Sequence, residues 1–324
     1  MLVTHESEHK ADSAYLMDGV VVIDKPAGPT SAEIVRQLKA RLGKRTRVGH
    51  LGTLDPFATG VLPILIGEGT KLAPFLQEGT REYTGLIVLG SETDTLDSTG
   101  EVSRVAPVPS FDTPQLTAIA NRFTGTVEQV PPIFSAIKRR GVPLYRLARR
   151  GARVEPPAPR KVEIERLELK RTGEDSIRFT VLCSSGMYVR SLARDIGIAL
   201  STAAHLCELR RVRSGAFSTA EARPLDEVIR SLEKGQELGL IGMRDALATL
   251  PEIVIDPHLE GRLRHGDSRA LDHLSPEGAA LFKVISRGKL VAIAQSTSRV
   301  TAVIVRVFGT GEEDAEQSGA NNDP

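Results

Sequence analysis

One stretch, Gly49 to Lys71 with the sequence GHLGTLDPFATGVLPILIGEGTK, constrains this chain more than any other. Its first half crowds Gly49, Gly52 and Gly60 around Asp55 and Pro56. Glycine opens backbone conformations that other residues avoid, and proline fixes its own φ. A loop built this way holds one side chain in a set position. Its second half, Val61-Leu62-Pro63-Ile64-Leu65-Ile66, is an apolar run that reads as a buried strand anchoring the loop. His50 precedes the acid, and Thr53 and Thr59 flank it. Polar and acidic residues in loops on rigid scaffolds are often functional. The competing reading is an acid that caps a turn or helix. It does not account for the glycine density or for the length of the pattern.

The rest of the chain bounds what that acid can belong to. With 324 residues, 40% hydrophobic and 26% charged, the composition fits a soluble globular protein of one large domain and one smaller one. No apolar run approaches the roughly 20 residues needed to span a bilayer. The opening residues MLVTHESEHKADSAY lack an apolar signal-peptide core. Cys183 and Cys207 are the two cysteines, and neither sits in a CxxC or Cys/His cluster. The expectation is no zinc site and a reducing, cytoplasmic setting.

Net charge is +1, but the cations are blocked out unevenly. Arg36, Lys39, Arg41, Lys44, Arg45 and Arg47 crowd the approach to the Asp55 loop. Lys138, Arg139, Arg140, Arg146, Arg149, Arg150 and Arg153 form a second block, and Arg210, Arg211 and Arg213 a third. Separate basic blocks on a neutral chain can form a polyanion-binding face, or each can be a solvated surface.

The elements alternate. Val20 to Ile23 reads as a short buried strand ended by the turn Lys25-Pro26-Ala27-Gly28-Pro29. Thr30 with Glu33 makes a capping box, and Ile34, Leu38 and Leu42 line one face of the helix that follows, closed by Gly43. Leu86 to Leu89 is a strand. Ser91 to Gly100 lacks calcium-loop spacing and reads as turn chemistry. The alternation at Val162, Ile164, Leu167 and Leu169 changes phase between Glu165 and Arg166, as a bulged strand would. Ile177, Phe179, Val181 and Cys183 alternate cleanly. After Ser184-Ser185-Gly186 a helix carries Val189, Leu192 and Ile196 on its core face, with Arg190 and Arg194 off that stripe. Beyond a boundary near Leu250-Pro251, three short strands follow, with Arg287-Gly288 as a hairpin turn.

Several signatures fail. Gly67-Glu68-Gly69-Thr70-Lys71 lacks Walker spacing, and neither a dinucleotide fingerprint nor a nucleophile elbow occurs. His50 has no triad pattern. What remains is one presented carboxylate, a set of arginines and a few placed tyrosines. A carboxylate can act as nucleophile or base. Arg190, just after a Gly turn, is placed to pair with an acid and hold it ionised. Tyr83 could stack on a base, although Tyr83 and Tyr188 could equally be packing residues. Together these point to chemistry on a nucleobase, which must be extruded from folded RNA to be reached.

The motifs resemble those of the bacterial tRNA pseudouridine-55 synthase family of the TruB type. The matching segments are Ile23-Asp24-Lys25-Pro26 with Gly28; Gly49 to Pro56 with Ala58-Thr59-Gly60; Lys71; Arg81-Glu82-Tyr83; and Thr93-Asp94-Thr95 with Asp97 and Gly100. They continue through Pro131-Pro132, Ser135-Ala136 and Lys138; Gly141, Tyr145 and Ala148-Arg149; Gly186 to Arg190; and Leu209-Arg210-Arg211. They run in order from about residue 20 to 215. The resemblance implies an isomerase of α+β fold: a pseudouridine-synthase core with a central mixed, mostly antiparallel sheet flanked by helices, plus a small C-terminal PUA-like β-barrel. It implies Asp55 as catalytic aspartate acting on a flipped T-loop uridine, Arg190 pairing with it and Tyr83 stacking on the base. His50 would hold or displace the nucleotide, while Lys25, Tyr188 and Leu209 line the pocket and Lys138 and Arg149 bind the T-arm. No metal or organic cofactor is implied, the partner is tRNA, and the chain acts as a monomer.

The implied division is a disordered tail over 1–15, a catalytic domain over 16–250 with an RNA-clamping insertion at 138–160, a PUA-like RNA-binding domain over 251–309, and an acidic disordered tail over 310–324. Three alternatives stay open: a guide-RNA-dependent synthase of the same superfamily, a catalytically silent RNA-binding protein, and a glycoside hydrolase. The last normally needs two facing carboxylates, and the sequence presents no convincing second one.

Overall fold

The computed structural model describes residues 17–309 apart from 151–153, 266, 272–273, 275, 277–279 and 298–300. The two expected tails and Arg153 lie outside the described residues. In chain order the elements are β1 (Gly19–Lys25), α1 (Ser31–Leu42), β2 (Val48–His50), β3 (Thr59–Ile66), α2 (Ala73–Leu76), β4 (Arg81–Leu89), β5 (Ser91–Thr93), β6 (Val102–Val105), α3 (Thr113–Arg122) and β7 (Gly125–Gln129). Next come β8 (Lys138–Arg139), β9 (Val142–Pro143), α4 (Leu144–Arg149), β10 (Arg160–Arg171), β11 (Ser176–Cys183), α5 (Val189–Ala199), β12 (Ala204–Ser214), β13 (Phe217–Ser218), β14 (Arg223–Pro224), α6 (Leu225–Glu233) and α7 (Met243–Ala246). The chain continues through β15 (Glu252–Val254), α8 (Pro257–Arg264), β16 (Leu281–Ser286), β17 (Lys289–Ser296) and β18 (Ala302–Val307).

The main sheet runs β14-β1-β3-β12-β4-β11-β10-β7, with β13 beside β12 and β2 beside β3. The β1–β14 and β3–β12 pairs are parallel and the others antiparallel, so the architecture is α+β with a mixed, mostly antiparallel sheet. The bulge in β10 falls between Ile164 and Arg166.

The apolar patterns follow from what covers each face. In β4 and β11 alternate residues are buried (Tyr83, Ile87, Leu89; Ile177, Phe179, Val181, Cys183), because helices cover one face only. In β1 and β3 every second residue enters a different core. Val21, Ile23, Leu62 and Ile64 pack with Ile34 and Leu38 of α1 and Leu192 and Ile196 of α5. Val20, Val22, Val61 and Leu65 pack on the other side with Ile285, Leu290, Ile293 and Phe308. These continuous apolar runs are therefore strands buried between the helices and the C-terminal segment.

The C-terminal segment differs from the expected barrel. Among the described residues it is an open four-stranded sheet, β15-β16-β17-β18, with no pairing between β15 and β18. β15 is only three residues long and joins β16 in parallel, while β16 to β18 are antiparallel. One set of side chains in this sheet faces the main sheet, and Phe282, Val284, Ala292 and Ala294 face α8 and the turn at Ala270-Leu271. A sheet covered on both sides needs no closure to bury its apolar residues.

Candidate active site

The Asp55 loop is held from beneath by two buried cations. Lys25, at the end of β1 and fully buried, donates from Nζ to the carbonyls of Pro26 (2.8 Å), Pro56 (3.1 Å) and Ala58 (2.7 Å). Arg211 of β12, also buried, donates from Nε to Val61 O (2.7 Å), from Nη2 to Gly52 O (3.2 Å) and from Nη1 to Thr53 O (3.5 Å). The carbonyls on both sides of Asp55 are thus fixed. Ser31 adds to the grip, accepting from Leu54 N–H at 3.0 Å. Two glycines are required here. Gly60 has φ +103, and a Cβ there would stand 2.2 Å from Arg211 O, because parallel β3 and β12 approach closely. Gly52 has φ +79, which lets the loop turn back over Arg211.

On top of the loop, Asp55 meets Arg190. Arg190 Nε lies 2.8 Å from Asp55 Oδ2, and Nη2 donates to Oδ1 at 3.1 Å. The same guanidinium donates to Thr95 O (2.9 Å) and Phe134 O (3.0 Å), which fixes its plane. Arg190 lies off the apolar stripe of α5 but does not reach solvent; it is buried in this site. Burial raises the Asp55 carboxyl above its ordinary range; Arg190 pulls it down, Asp97 pushes it up, and Lys25 pulls it down more weakly. Burial also lowers Lys25 to about 8, against the attraction of Asp55.

Asp97, which sequence reasoning did not single out, is a second acid at this centre. It is buried, its Oδ2 lies 3.6 Å from Arg190 Nη1, and its Oδ1 accepts from Thr95 Oγ1 (2.8 Å), Thr99 N (3.0 Å) and Thr99 Oγ1 (2.5 Å). Both acids share one arginine. The signal for it was present in Thr95-Leu96-Asp97-Ser98-Thr99, where hydroxyls bracket an acid.

The remaining expected residues divide. Tyr83 of β4 is buried in the core beside the site, and burial raises its phenol against the pull of Arg211. His50 of β2 is partly buried, its Nδ1 without a hydrogen-bond partner among the described residues, and burial lowers its ring below the usual value. Leu209 of β12 is buried, and its carbonyl accepts from Thr59 Oγ1 at 3.5 Å. Tyr188 caps α5 and is half-buried under the Arg160 guanidinium. Lys138 and Arg149 stand apart on the exposed β8–β9 hairpin and α4. An open cavity of about 380 Å³ beside the loop is lined by Phe57, Thr59, Thr84, Leu209 and Arg210 but by neither Asp55 nor Arg190.

The basic blocks are not equivalent. The third is spent on structure. Arg210 forms a two-pronged pair with Asp24 (3.0 and 2.9 Å), Arg211 is buried, and Arg213 lies 4.0 Å from Glu82. In the first, Arg36, Arg41 and Arg47 pair with Glu33, Glu233 and Glu68. The second is exposed at Lys138, Arg139, Arg140, Arg146, Arg149 and Arg150, with Arg139 paired to Glu155 and with Arg146 and Arg149 against the Tyr145 ring. Among the described residues no group of three His, Cys, Asp or Glu side chains is arranged to hold a metal, and no helix is long and apolar enough to cross a membrane.

Comparison with known proteins gives the family. Residues 39–189 match the family described as TruB family pseudouridylate synthase (N terminal domain), and residues 190–245 match the tRNA pseudouridylate synthase B C-terminal domain. The chain is 44% identical over 276 residues to the tRNA pseudouridine synthase B of Geotalea uraniireducens, covering 85% of this chain and 86% of that one. It is 40% identical over 288 residues to that of Geobacter sulfurreducens, covering 86% and 94%. Among solved structures, that of a Cbf5–Nop10–Gar1 complex is similar with a TM-score of 0.69 at 26% identity, covering 91% of this chain and 86% of the other.

Proposed function

Because the chain belongs to the TruB family of pseudouridylate synthases, we propose that it isomerises the T-loop uridine of tRNA to pseudouridine, with Asp55 as the reacting carboxylate. In this reaction the bond from ribose C1′ to N1 breaks, the ring turns, and a bond from C1′ to C5 forms. The hydrogen of C5 leaves as a proton and N1 ends protonated. The sum is redox-neutral, so no oxidant or reductant has to be supplied. The carboxylate can serve by attack on C6, by attack on the ribose or by removing a proton.

The observation that carries this reading is the Asp55–Arg190 fork, set in a loop whose carbonyls are fixed by Lys25 and Arg211. An acid whose carboxyl is raised by burial and drawn back toward its ionised form by one arginine is a pre-organised reactive group. Tyr83 stacks on the extruded base, His50 holds the displaced nucleotide, and Leu209 and Tyr188 bound the pocket. Lys25, its ammonium occupied by three carbonyls, shapes the pocket by holding the loop. Lys138 and Arg149, with the exposed Arg139, Arg140, Arg146 and Arg150 beside them in the insertion, grip T-arm phosphates. The unit over 251–309 adds RNA contact, and the chain works as a cytoplasmic monomer. A basic insertion on the chain itself favours an enzyme that needs no guide RNA.

The test uses the purified chain and a T-arm hairpin tritiated at uridine C5. The expected result is release of one tritium per hairpin with pseudouridine at the T-loop position and nowhere else. A hairpin left unmodified overturns the reading.

A further inference from the structure

Arg160 opens β10, where the basic insertion rejoins the main sheet. Its backbone pairs with Gln129 of β7. Gln129 holds the main chain of Tyr188 twice: Tyr188 N–H donates to Oε1 at 2.8 Å, and Nε2 donates to Tyr188 O at 3.1 Å. This lattice sets the Arg160 guanidinium over the Tyr188 ring, 4.5 Å from its centroid. Tyr188 lies two residues before Arg190 at the start of α5. A continuous line therefore runs from Arg160 through Tyr188 and Arg190 to Asp55.

Arg160 differs from several other arginines of the chain in what it lacks. Arg139, Arg166, Arg178, Arg194 and Arg210 each have a carboxylate within ion-pair distance. Arg160 has none among the described residues, and its Nε is buried without a hydrogen-bond partner. Its terminal nitrogens lie 3.9 and 4.0 Å from where a side chain on Gly186 would begin. Ser185 and Gly186 are exposed, so the guanidinium edge opens onto a shelf without bulky side chains. An aromatic face holds a guanidinium plane in place, and its fork of N–H donors matches two oxygens of a phosphate.

We propose that Arg160, held over the Tyr188 ring, is a phosphodiester-binding residue that grips the RNA strand beside the reacting nucleotide. The proposal rests on the RNA-modifying reading above and gives it an anchor at the active centre, separate from the outlying cations of the insertion. It also makes Tyr188 the link between phosphate binding and the helix that carries Arg190.

The test replaces single phosphates of a T-arm hairpin, one at a time, with neutral methylphosphonates. Affinity is measured for the intact protein and for Arg160→Gln and Arg160→Lys, with thermal melting as a check on folding. For the intact protein, neutralising one phosphate next to the target uridine weakens binding about tenfold. Arg160→Gln is weaker by about the same factor and insensitive at that one position, while it stays sensitive elsewhere. Arg160→Lys, which keeps the charge without the fork, falls between. The proposal is overturned if Arg160→Gln responds to every position as the intact protein does, or if neither variant folds. It is equally overturned if no position is sensitive while inorganic phosphate competes with the hairpin, since a free anion is then the ligand. An intact protein that leaves the hairpin unmodified counts against the RNA-modifying reading, a result the affinities alone do not give.

Discussion

Replacing Arg190 probes the centre of the site directly. In Arg190→Ala both contacts to Asp55 vanish, and so do the donors to Thr95 O and Phe134 O. Hydrogen bonds to charged groups contribute about 1.5–3 kcal/mol each. Only the Nη2–Oδ1 contact is such a bond, the Nε–Oδ2 contact being an ion pair. Breaking a largely buried ion pair by removing one partner takes at most about 3–5 kcal/mol from the arrangement that presents the carboxylate, or about 10² to 10⁴ in rate. The same change removes the strongest influence holding the carboxyl down, leaving burial and Asp97 to raise it further. Arg190→Lys keeps a charge but has one nitrogen for four acceptors. It retains at best one Asp55 contact, so the expected loss is about 10- to 100-fold. The assay is single-turnover tritium release at saturating hairpin, with binding measured separately. Turnover by an ionised Asp55 is lost as pH falls through its raised value, so the acid limb of the intact protein lies above the ordinary carboxylate value of about 4. That limb moves to still higher pH in Arg190→Lys. Full-rate turnover in both variants, or a loss confined to affinity, would refute the reasoning.

Three further predictions follow from the packing and the charge. Lys25 is displaced from 10.5 to about 8 in the folded chain, so between those values the unfolded chain holds more protons and stability rises with pH, by up to about 3 kcal/mol; denaturant titrations of intact protein and Lys25→Met across that window should differ by this slope, and parallel curves would show that burial of the ammonium is not being felt. Neutralising Arg146, Arg149 and Arg150 together should weaken tRNA binding and lower its log–log salt slope by roughly 0.7–0.9 for each lost phosphate contact; an unchanged slope in filter binding would place the RNA elsewhere. Cutting the chain after residue 250 removes Ile285, Leu290, Ile293 and Phe308 from the core they share with Val20, Val22, Val61 and Leu65. At about 1.5–3 kcal/mol per side chain this approaches the whole stability of a typical domain, so calorimetry should find the truncated chain unfolded or melting far lower, and an unshifted melt would mean that the two parts fold independently.

Much of this was legible in the sequence, and the failures share a cause. Thr30 and Glu33 form the expected capping box, the β10 bulge falls where the phase changed, and the Asp55–Arg190 pair is present. Local chemistry, period and caps suffice for such features. Partners brought together by the fold do not announce themselves. Arg210 and Arg211 read as surface charge, because Asp24 and the carbonyls of Gly52 and Thr53 that engage them are more than 150 residues away in sequence. Asp97 looked like turn chemistry because its hydroxyl partners are local and Arg190 is not. The second cover over β1 and β3 was invisible for the same reason. Three strands were legible beyond residue 280, but not that β15 would join them in parallel and leave the sheet open.

The central claim is that the Asp55 carboxylate reacts. Asp55→Asn keeps the size of the side chain and an oxygen that can accept from Arg190, so the loop held by Lys25 and Arg211 should survive. The direct measurement is tritium release from a T-arm hairpin tritiated at uridine C5, made alongside hairpin affinity and thermal melting of the same sample. The account predicts a folded protein that binds the hairpin normally and forms no pseudouridine. Release at the rate of the intact protein would contradict it.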